Sequence, residues 1–424
     1  MTILLLGGGG REHALAWKMK QSALCSTLFI APGNPGTSSL GQNIALPLND
    51  FQQIANFCLN EQVNMLVVGP EEPLVLGIYD YFQQPHLQHI QLIGPSKKAA
   101  QLEGSKAFAK EFMQKFKIPT AGYQQFDASN FEEGLHYLQQ HALPIVLKAD
   151  GLAAGKGVVI CTDKKQAIAE FTAMIQEAKF GQAGSKVVVE EFLEGIECSF
   201  FVLTDGQHYV LLPDAKDYKR IGEKDTGLNT GGMGAISPVP FVDQIFTDKV
   251  IQQIILPTLK GIQEDKLIYK GFIFIGLIKV NNEPFVIEYN CRMGDPETET
   301  VMPRLENDLL DLLCRVHDGT LHEVTCSHSS QSSATVMLVS KGYPEDYEKN
   351  KEITLPESEE QSLIFHAGTK LNQQQLETAG GRVLAITSIG ENLQQALDKS
   401  YSTIEHISFD GKTFRSDIGW EFKA

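Results

Sequence analysis

Short apolar runs separated by longer amphipathic stretches dominate residues 1–103. The runs are Ile3-Leu4-Leu5-Leu6, Leu28-Phe29-Ile30, Met65-Leu66-Val67-Val68 and Ile90-Gln91-Leu92-Ile93, each followed within two residues by glycine or proline. Helical patterns lie between them, as in Glu12 to Lys20 and Phe51 to Asn60. Buried strands alternating with helices predict a parallel sheet whose strand ends gather on one edge, where ligands of such sheets bind.

Beyond this block the pattern changes. Ser105 to Phe116 reads as a helix closed by Pro119. Pro144-Ile145-Val146-Leu147 and Val158-Val159-Ile160-Cys161 read as strands, followed by Lys186 to Glu191. One hairpin turns at Asp205-Gly206, and another joins Phe272–Val280 to Phe285–Asn290 through Asn281-Asn282. A glycine-rich loop covers Asp214 to Pro238, and a helix spans roughly 243–263. Ser327 to Ser333 has a linker's polarity. Strands at Ser333–Val339, Ile364–His366 and Gly381–Thr387 and a helix from Glu391 to His406 complete the chain.

A length of 424 residues implies two to four domains. A net charge of −16 argues against general affinity for nucleic acid or anionic membrane, while leaving room for a local basic pocket. The seven cysteines, at 25, 58, 161, 198, 291, 314 and 326, are scattered without a CxxC, so neither a zinc site nor a disulfide framework is expected. Free thiols, no signal-peptide pattern and no apolar run of transmembrane length fit a cytoplasmic protein.

Five segments carry candidate chemistry. Lys148-Ala149-Asp150-Gly151-Leu152-Ala153-Ala154-Gly155-Lys156-Gly157 is a glycine-rich loop between two strands, so it is not a Walker A loop, which opens a helix. Alone it fits a mobile hairpin as well as a phosphate cradle. Gly7-Gly8-Gly9-Gly10-Arg11-Glu12-His13 leaves a strand and opens a helix, an anion-binding context, but Glu12 breaks the dinucleotide fingerprint. Val187 to Glu197 offers extended backbone and carboxylates suited to an adenine edge and a ribose. In Glu288-Tyr289-Asn290-Cys291-Arg292, residues 288 and 290 share one strand face, and their oxygens suit Mg²⁺ bridging nucleotide phosphates. Ile287 and Tyr289 are expected to face the core, and Arg292 to stabilise a transferring phosphoryl group. Asp217-Tyr218-Lys219-Arg220 precedes a loop that reads as a lid or substrate loop, with Lys219 and Arg220 near phosphate.

In order, GGGGREHAL, APGNPGT, VGPEEPLV, LEGSKAFAK, KADGLAAGKGV, DTGLNTGGMGA, IEYNCRMGDPET, FHAGTK and GGRVL resemble the phosphoribosylamine–glycine ligase family, ATP-grasp enzymes of purine biosynthesis. The resemblance covers residues 7–384, with LNTGGMGA and NCRMGDPET the specific stretches. It implies an α/β and α+β multidomain fold: an N-terminal parallel-sheet domain (1–103), an ATP-grasp unit of two subdomains (104–325, lid about 120–192) and a small mixed C-terminal domain (326–424). It also implies ATP-dependent ligation of glycine to 5-phosphoribosylamine through glycyl phosphate, with Mg²⁺ or Mn²⁺, by a monomer or weak homodimer.

By position, Lys106 and Lys148 match the family's ATP-phosphate lysines, and Gly151, Gly155, Lys156 and Gly157 its phosphate-covering loop. Glu190, Glu191 and Phe192 match the adenine hinge, Glu197 a ribose-binding acid, and Glu288 and Asn290 the metal ligands. Arg292 and Lys148 are the implied catalytic pair. Gly8, Gly9, Gly10, Arg11, Asp217, Lys219, Gly294 and Asp295 fall where phosphoribosylamine and glycine sit. Tyr218 departs from the family's usual histidine, which puts an imidazole role there in doubt. The rival reading is another ATP-grasp carboxylate–amine ligase or carboxylase of nucleotide biosynthesis, which is not expected to carry both specific stretches.

Overall fold

The computed structural model describes residues 1–151, 157–177, 179, 186–356 and 361–422. Gly155 and Lys156, and the expectation that their loop moves when nucleotide binds, fall outside the described residues; Gly151 and Gly157 fall within them.

Strands Gln91–Pro95, Met65–Val68, Thr2–Gly7, Thr27–Pro32 and Gln42–Asn43 lie side by side in that order, all parallel. Alternation along Thr2–Gly7 sends Leu4 and Leu6 into one apolar cluster and Ile3 and Leu5 into the other, so both faces are covered. The sheet does not stop at this block. Tyr269 and Lys270 pair antiparallel with Pro95 and Gly94, which joins it to Tyr269–Val280, Ile196–Thr204, Tyr209–Leu211 and Glu283–Asn290. The parallel-strand edge and the strand bearing Glu288 are thereby parts of one continuous sheet.

Asn281 and Asn282 both adopt positive φ (50° and 65°), as the two-residue hairpin turn requires. Within that hairpin Gly276 faces Glu288 but Leu277 faces Val286, so Ile287 is the extra residue of a β-bulge. The bulge corrects the simple alternation expected there. Val286 and Tyr289 enter the core, whereas Ile287 is only half-buried.

A separate four-stranded antiparallel sheet, Tyr123–Asp127, Lys186–Glu191, Ile145–Ala149 and Val158–Cys161, is backed by helices Phe131–Gln140 and Lys164–Ile175. It has its own core, centred on Phe126, Leu147, Phe171 and Val189. A third sheet orders Lys216–Asp217, Gly234–Ser237, Ser332–Ser340, Arg382–Gly390 and Leu363–His366, packed against helix Leu393–Glu405. The glycine-rich stretch after Asp214 therefore contributes two strands to this sheet. Between them lies only a short hairpin, Arg220–Gly222 with Thr226–Asn229, and Met233 is fully buried.

Candidate active site

The separate four-stranded sheet and the continuous sheet meet around a cluster of lysines and carboxylates. Lys148 ends strand Ile145–Ala149, and Glu190 comes from the neighbouring strand. Lys148 Nζ lies 2.9 Å from Glu190 Oε2 and donates to the carbonyl of Ile287, the bulge residue, at 3.2 Å. Lys110, on helix Lys106–Lys115, lies 3.2 Å from Glu190 Oε1. All three side chains are buried. Desolvation lowers the Lys110 ammonium to about 8, even though Glu190 opposes that shift.

Asp150 ties the same helix to the loop base. It accepts from Ser105 Oγ at 3.0 Å and from the Ala107 amide at 3.1 Å, while Lys106 Nζ donates to Gly151 O at 3.0 Å. Ala149 N donates to Gly157 O at 2.8 Å, so the loop's two ends are fastened together.

Glu288 is the centre of the positive field. Burial works to raise its carboxyl, but Lys219, Lys148, Lys106 and Arg292 outweigh it and hold the group below the usual carboxylate range. Among the described residues, neither Glu288 nor Asn290 makes a side-chain hydrogen bond, so their oxygens keep free lone pairs beside these cations. Two hard oxygen donors with unspent lone pairs fit a Mg²⁺ or Mn²⁺ ion whose remaining ligands come from nucleotide phosphates and water. The described residues contain no group of three or more His, Cys, Asp or Glu side chains able to hold a metal alone.

Lys219 Nζ reaches Glu197 at 2.7 Å and Asp217 at 4.0 Å. The acid read as a ribose contact thus touches the lysine read as a substrate contact. Burial raises the Asp217 carboxyl; burial also works to raise Glu197, but Lys219, Lys216 and Lys148 together outweigh it and hold that group below its ordinary value. Glu191 accepts from the Gly122 amide at 2.8 Å, and Phe192 is exposed. Arg220 departs from expectation: its guanidinium donates to Gly227 O at 2.7 Å inside its own hairpin. Tyr218 points away from the site into the C-terminal core, where its hydroxyl donates to Glu421 at 2.9 Å. The ring at this position is a core residue with Lys216 and Arg415 over its faces.

The glycine run joins this cluster through Arg292. Arg292 Nη2 lies 2.9 Å from Glu103, and its Nε lies 3.4 Å from Glu71. Glu71 is also 3.9 Å from Arg11, and both arginines donate to the Met293 carbonyl, at 3.3 Å from Arg11 and 3.2 Å from Arg292. Gly8 packs so tightly that a Cβ would stand 2.6 Å from Gly33 O. A Cβ on Gly9 would lie 3.6 Å from Asp295 Oδ2, so the loop and Asp295 share one wall. At Gly294 a Cβ would sit 2.3 Å from Glu297 Oε2.

Sequence reasoning missed Glu71, Glu103, Lys110, Glu297, Glu299 and Arg382. Arg382, far along the chain, donates to Gly231 O at 2.6 Å and lies 2.9 Å from Asp295 Oδ1. Burial and then Asp217 raise the Glu297 carboxyl; burial and then Asp295 raise that of Glu299, whose two oxygens lack hydrogen-bond partners among the described residues. Glu71, Glu103, Glu297 and Arg382 stand inside the quoted stretches VGPEEPLV, LEGSKAFAK, NCRMGDPET and GGRVL, which was the available signal. Lys110 closes LEGSKAFAK as well, and Glu299 alone falls one residue past a quoted stretch.

A four-stranded sheet facing the continuous sheet across buried lysines, a shared carboxylate and a Glu-x-Asn pair without side-chain hydrogen bonds among the described residues fits an ATP-grasp enzyme, an ATP-dependent ligase. Comparison with known proteins narrows the class. The phosphoribosylglycinamide synthetase N domain matches residues 1–103, its ATP-grasp (A) domain residues 104–298 and its C domain residues 333–421. The chain belongs to the phosphoribosylglycinamide synthetase family. It is 44% identical over 425 residues to a phosphoribosylamine–glycine ligase of Haemophilus influenzae, covering 99% of this chain and 98% of that one. The crystal structure of phosphoribosylamine–glycine ligase from Thermotoga maritima superposes with a TM-score of 0.86 at 34% identity, over 98% of this chain and all of that one. A biotin carboxylase domain from Hydrogenobacter thermophilus, at 16% identity and TM-score 0.72 over 97% of this chain and 91% of that one, shares the fold alone.

Proposed function

We propose that the protein joins glycine to 5-phosphoribosylamine at the expense of ATP, giving glycinamide ribonucleotide, ADP and phosphate in purine biosynthesis. The observation that carries the reading is the Glu288–Asn290 pair, which makes no side-chain hydrogen bond among the described residues and stands in the field of Lys106, Lys148, Lys219 and Arg292, in a chain of this family.

In the first step a glycine carboxylate oxygen attacks the γ-phosphorus and the β–γ bridging bond breaks, releasing ADP and leaving glycyl phosphate. In the second, the phosphoribosylamine nitrogen attacks the acyl carbon, phosphate departs with the carboxylate oxygen, and the nitrogen loses a proton. Neither step needs a covalent enzyme nucleophile, so positioning and charge neutralisation carry the chemistry. Lys148 and Arg292 stabilise the transferring phosphoryl group, and Lys106 steadies the loop base at Gly151. Glu190, Glu191 and Phe192 border the adenine, and Glu197 the ribose. Glu288 and Asn290 would hold Mg²⁺ or Mn²⁺, which when bound neutralises phosphate charge. Gly8 to Arg11, with Asp217, Lys219, Gly294 and Asp295, receives phosphoribosylamine and glycine. Gly155 and Lys156 complete the phosphate cover.

The same reading divides the chain at about 103 and 325, with the lid subdomain at about 120–192, and places a monomer or weak homodimer in the cytoplasm. Among the described residues no helix is long and apolar enough to cross a membrane. A coupled assay tests the function. ADP release is expected only when glycine, phosphoribosylamine, ATP and Mg²⁺ are all present, and is expected to be lost in Arg292→Ala. Equal ADP release without glycine would overturn the substrate assignment.

A further inference from the structure

Glu12 is the residue that breaks the dinucleotide fingerprint, and the structure gives it an unusual setting. It sits at the third position of helix Gly10–Lys20, almost fully buried at 3% exposure. Its Oε2 accepts the Gly9 amide at 2.7 Å, and its Oε1 lies 2.6 Å from Arg11 Nε. A residue at this helical position commonly caps the helix as half of a reciprocal box with a Ser or Thr. Here the partner position is Gly9, which has no side chain, so only one half of such a box can form.

Two strand ends give up side chains to make room for this carboxylate. A Cβ on Gly7, which closes strand Thr2–Gly7 at φ +123°, would stand 2.4 Å from the Glu12 carboxyl carbon. A Cβ on Gly69, just past strand Met65–Val68, would stand 2.3 Å from Glu12 Oε1. In the dinucleotide fold the third glycine lets helix and strand approach closely. This chain moves the glycines to the strands and puts a buried charge on the helix. Burying a carboxylate is costly unless it is matched, and packing alone would be served by an apolar side chain.

The match is Arg11. Burial works against its charged form, but Glu12, Asp295 and Glu71 outweigh burial and hold it protonated. With Nε committed to Glu12 and Nη1 to Met293 O, Arg11 keeps Nη2 without a partner among the described residues. Glu12 thereby fixes the plane of the guanidinium and the direction of the Gly9 loop together.

We propose that Glu12 is a positioning residue for the phosphoribosyl substrate, holding Arg11 and the Gly9 loop in the geometry that receives its anionic group. The inference rests on the reading that Gly8 to Arg11 binds phosphoribosylamine. The probe is glycinamide ribonucleotide, the stable amide product, titrated into the intact protein by calorimetry beside Mg²⁺–ADP. Glu12→Gln keeps the shape but turns an amide N–H toward one of the two donors. The dissociation constant for glycinamide ribonucleotide is expected to rise about tenfold or more, and that for ADP to stay within about twofold. Unchanged affinity for the ribonucleotide, or equal loss of both ligands, overturns the proposal. Should Glu12→Gln fail to fold, Glu12→Asp draws the charge back by one methylene and is expected to show the same selective loss; parental affinity in that variant overturns it. Arg11→Ala separates the two layers. If it binds glycinamide ribonucleotide normally, the substrate reading fails; if it loses affinity while Glu12→Gln does not, only the role of Glu12 fails.

Discussion

Replacing Glu190 by glutamine removes the single anion shared by two buried lysines. Lys148 lies 2.9 Å and Lys110 3.2 Å from its two oxygens, and no side chain of the three is more than 8% exposed. Lys110 already sits at about 8, against an ordinary 10.5, because desolvation outweighs Glu190. Its folded pKa is depressed, so its burden on stability is full below pH 8 and lifts as pH rises toward 10.5. That burden is about 3 kcal/mol at neutral pH. Without Glu190 the pKa falls further, but once below 7 the amine is neutral and escapes more penalty. Lys110 therefore adds only about 1 kcal/mol to the cost at pH 7. Lys148 loses a charge-assisted hydrogen bond worth about 2 kcal/mol and keeps only the Ile287 carbonyl. The sum is about 3 kcal/mol at pH 7, falling to about 2 kcal/mol at pH 9, where Lys110 is largely neutral in both proteins. Hydrogen exchange of amides in Ile145–Ala149 and Lys186–Glu191 reads the loss where it occurs. A loss below about 1 kcal/mol, or one that grows at pH 9, refutes the shared-anion argument.

Two further predictions follow from residues away from the phosphate cluster. Tyr218→Phe removes the bond to Glu421 and is expected to cost about 1 kcal/mol in urea melts while leaving turnover as it was, because the ring belongs to the C-terminal core; a collapse of turnover would restore a catalytic role to this position. His13 and His366 meet where the glycine-run helix touches the C-terminal sheet, the His366 amide donating to His13 Nδ1 at 2.8 Å, and burial lowers them to about 3 and about 4. Both are depressed below the ordinary 6.5, so the stability they carry is whole above that pH and drains as pH falls toward 4; acid melts of His366→Gln are expected to show a shallower loss across this window, and an unchanged slope counts against it.

Much of the architecture was readable from pattern. The parallel strands, the Asn281-Asn282 turn and the helix capped by Ser105 follow from apolar runs and turn chemistry that act locally. The function was readable because the chemistry-bearing residues stand in contiguous stretches. What escaped depends on contacts between distant segments. The bulge at Ile287 shifts register by one residue without any glycine on its own strand to announce it, and the Ile287 carbonyl accepts from Lys148. Lys110 looks like any helical lysine until the lid strand brings Glu190 against it. Arg382 enters the site only because Gly234–Ser237 joins the C-terminal sheet and carries Gly231 alongside. Arg220 went the other way, since a short hairpin satisfied its guanidinium before any substrate could.

In the proposed route a buried, cation-rich site activates a carboxylate by phosphorylation before an amine attacks it. Glycine labelled with ¹⁸O in its carboxylate tests this directly, with the released phosphate analysed by mass spectrometry after turnover with ATP and phosphoribosylamine. One labelled oxygen is expected in phosphate for each glycinamide ribonucleotide formed. Unlabelled phosphate accompanying full product formation would contradict it.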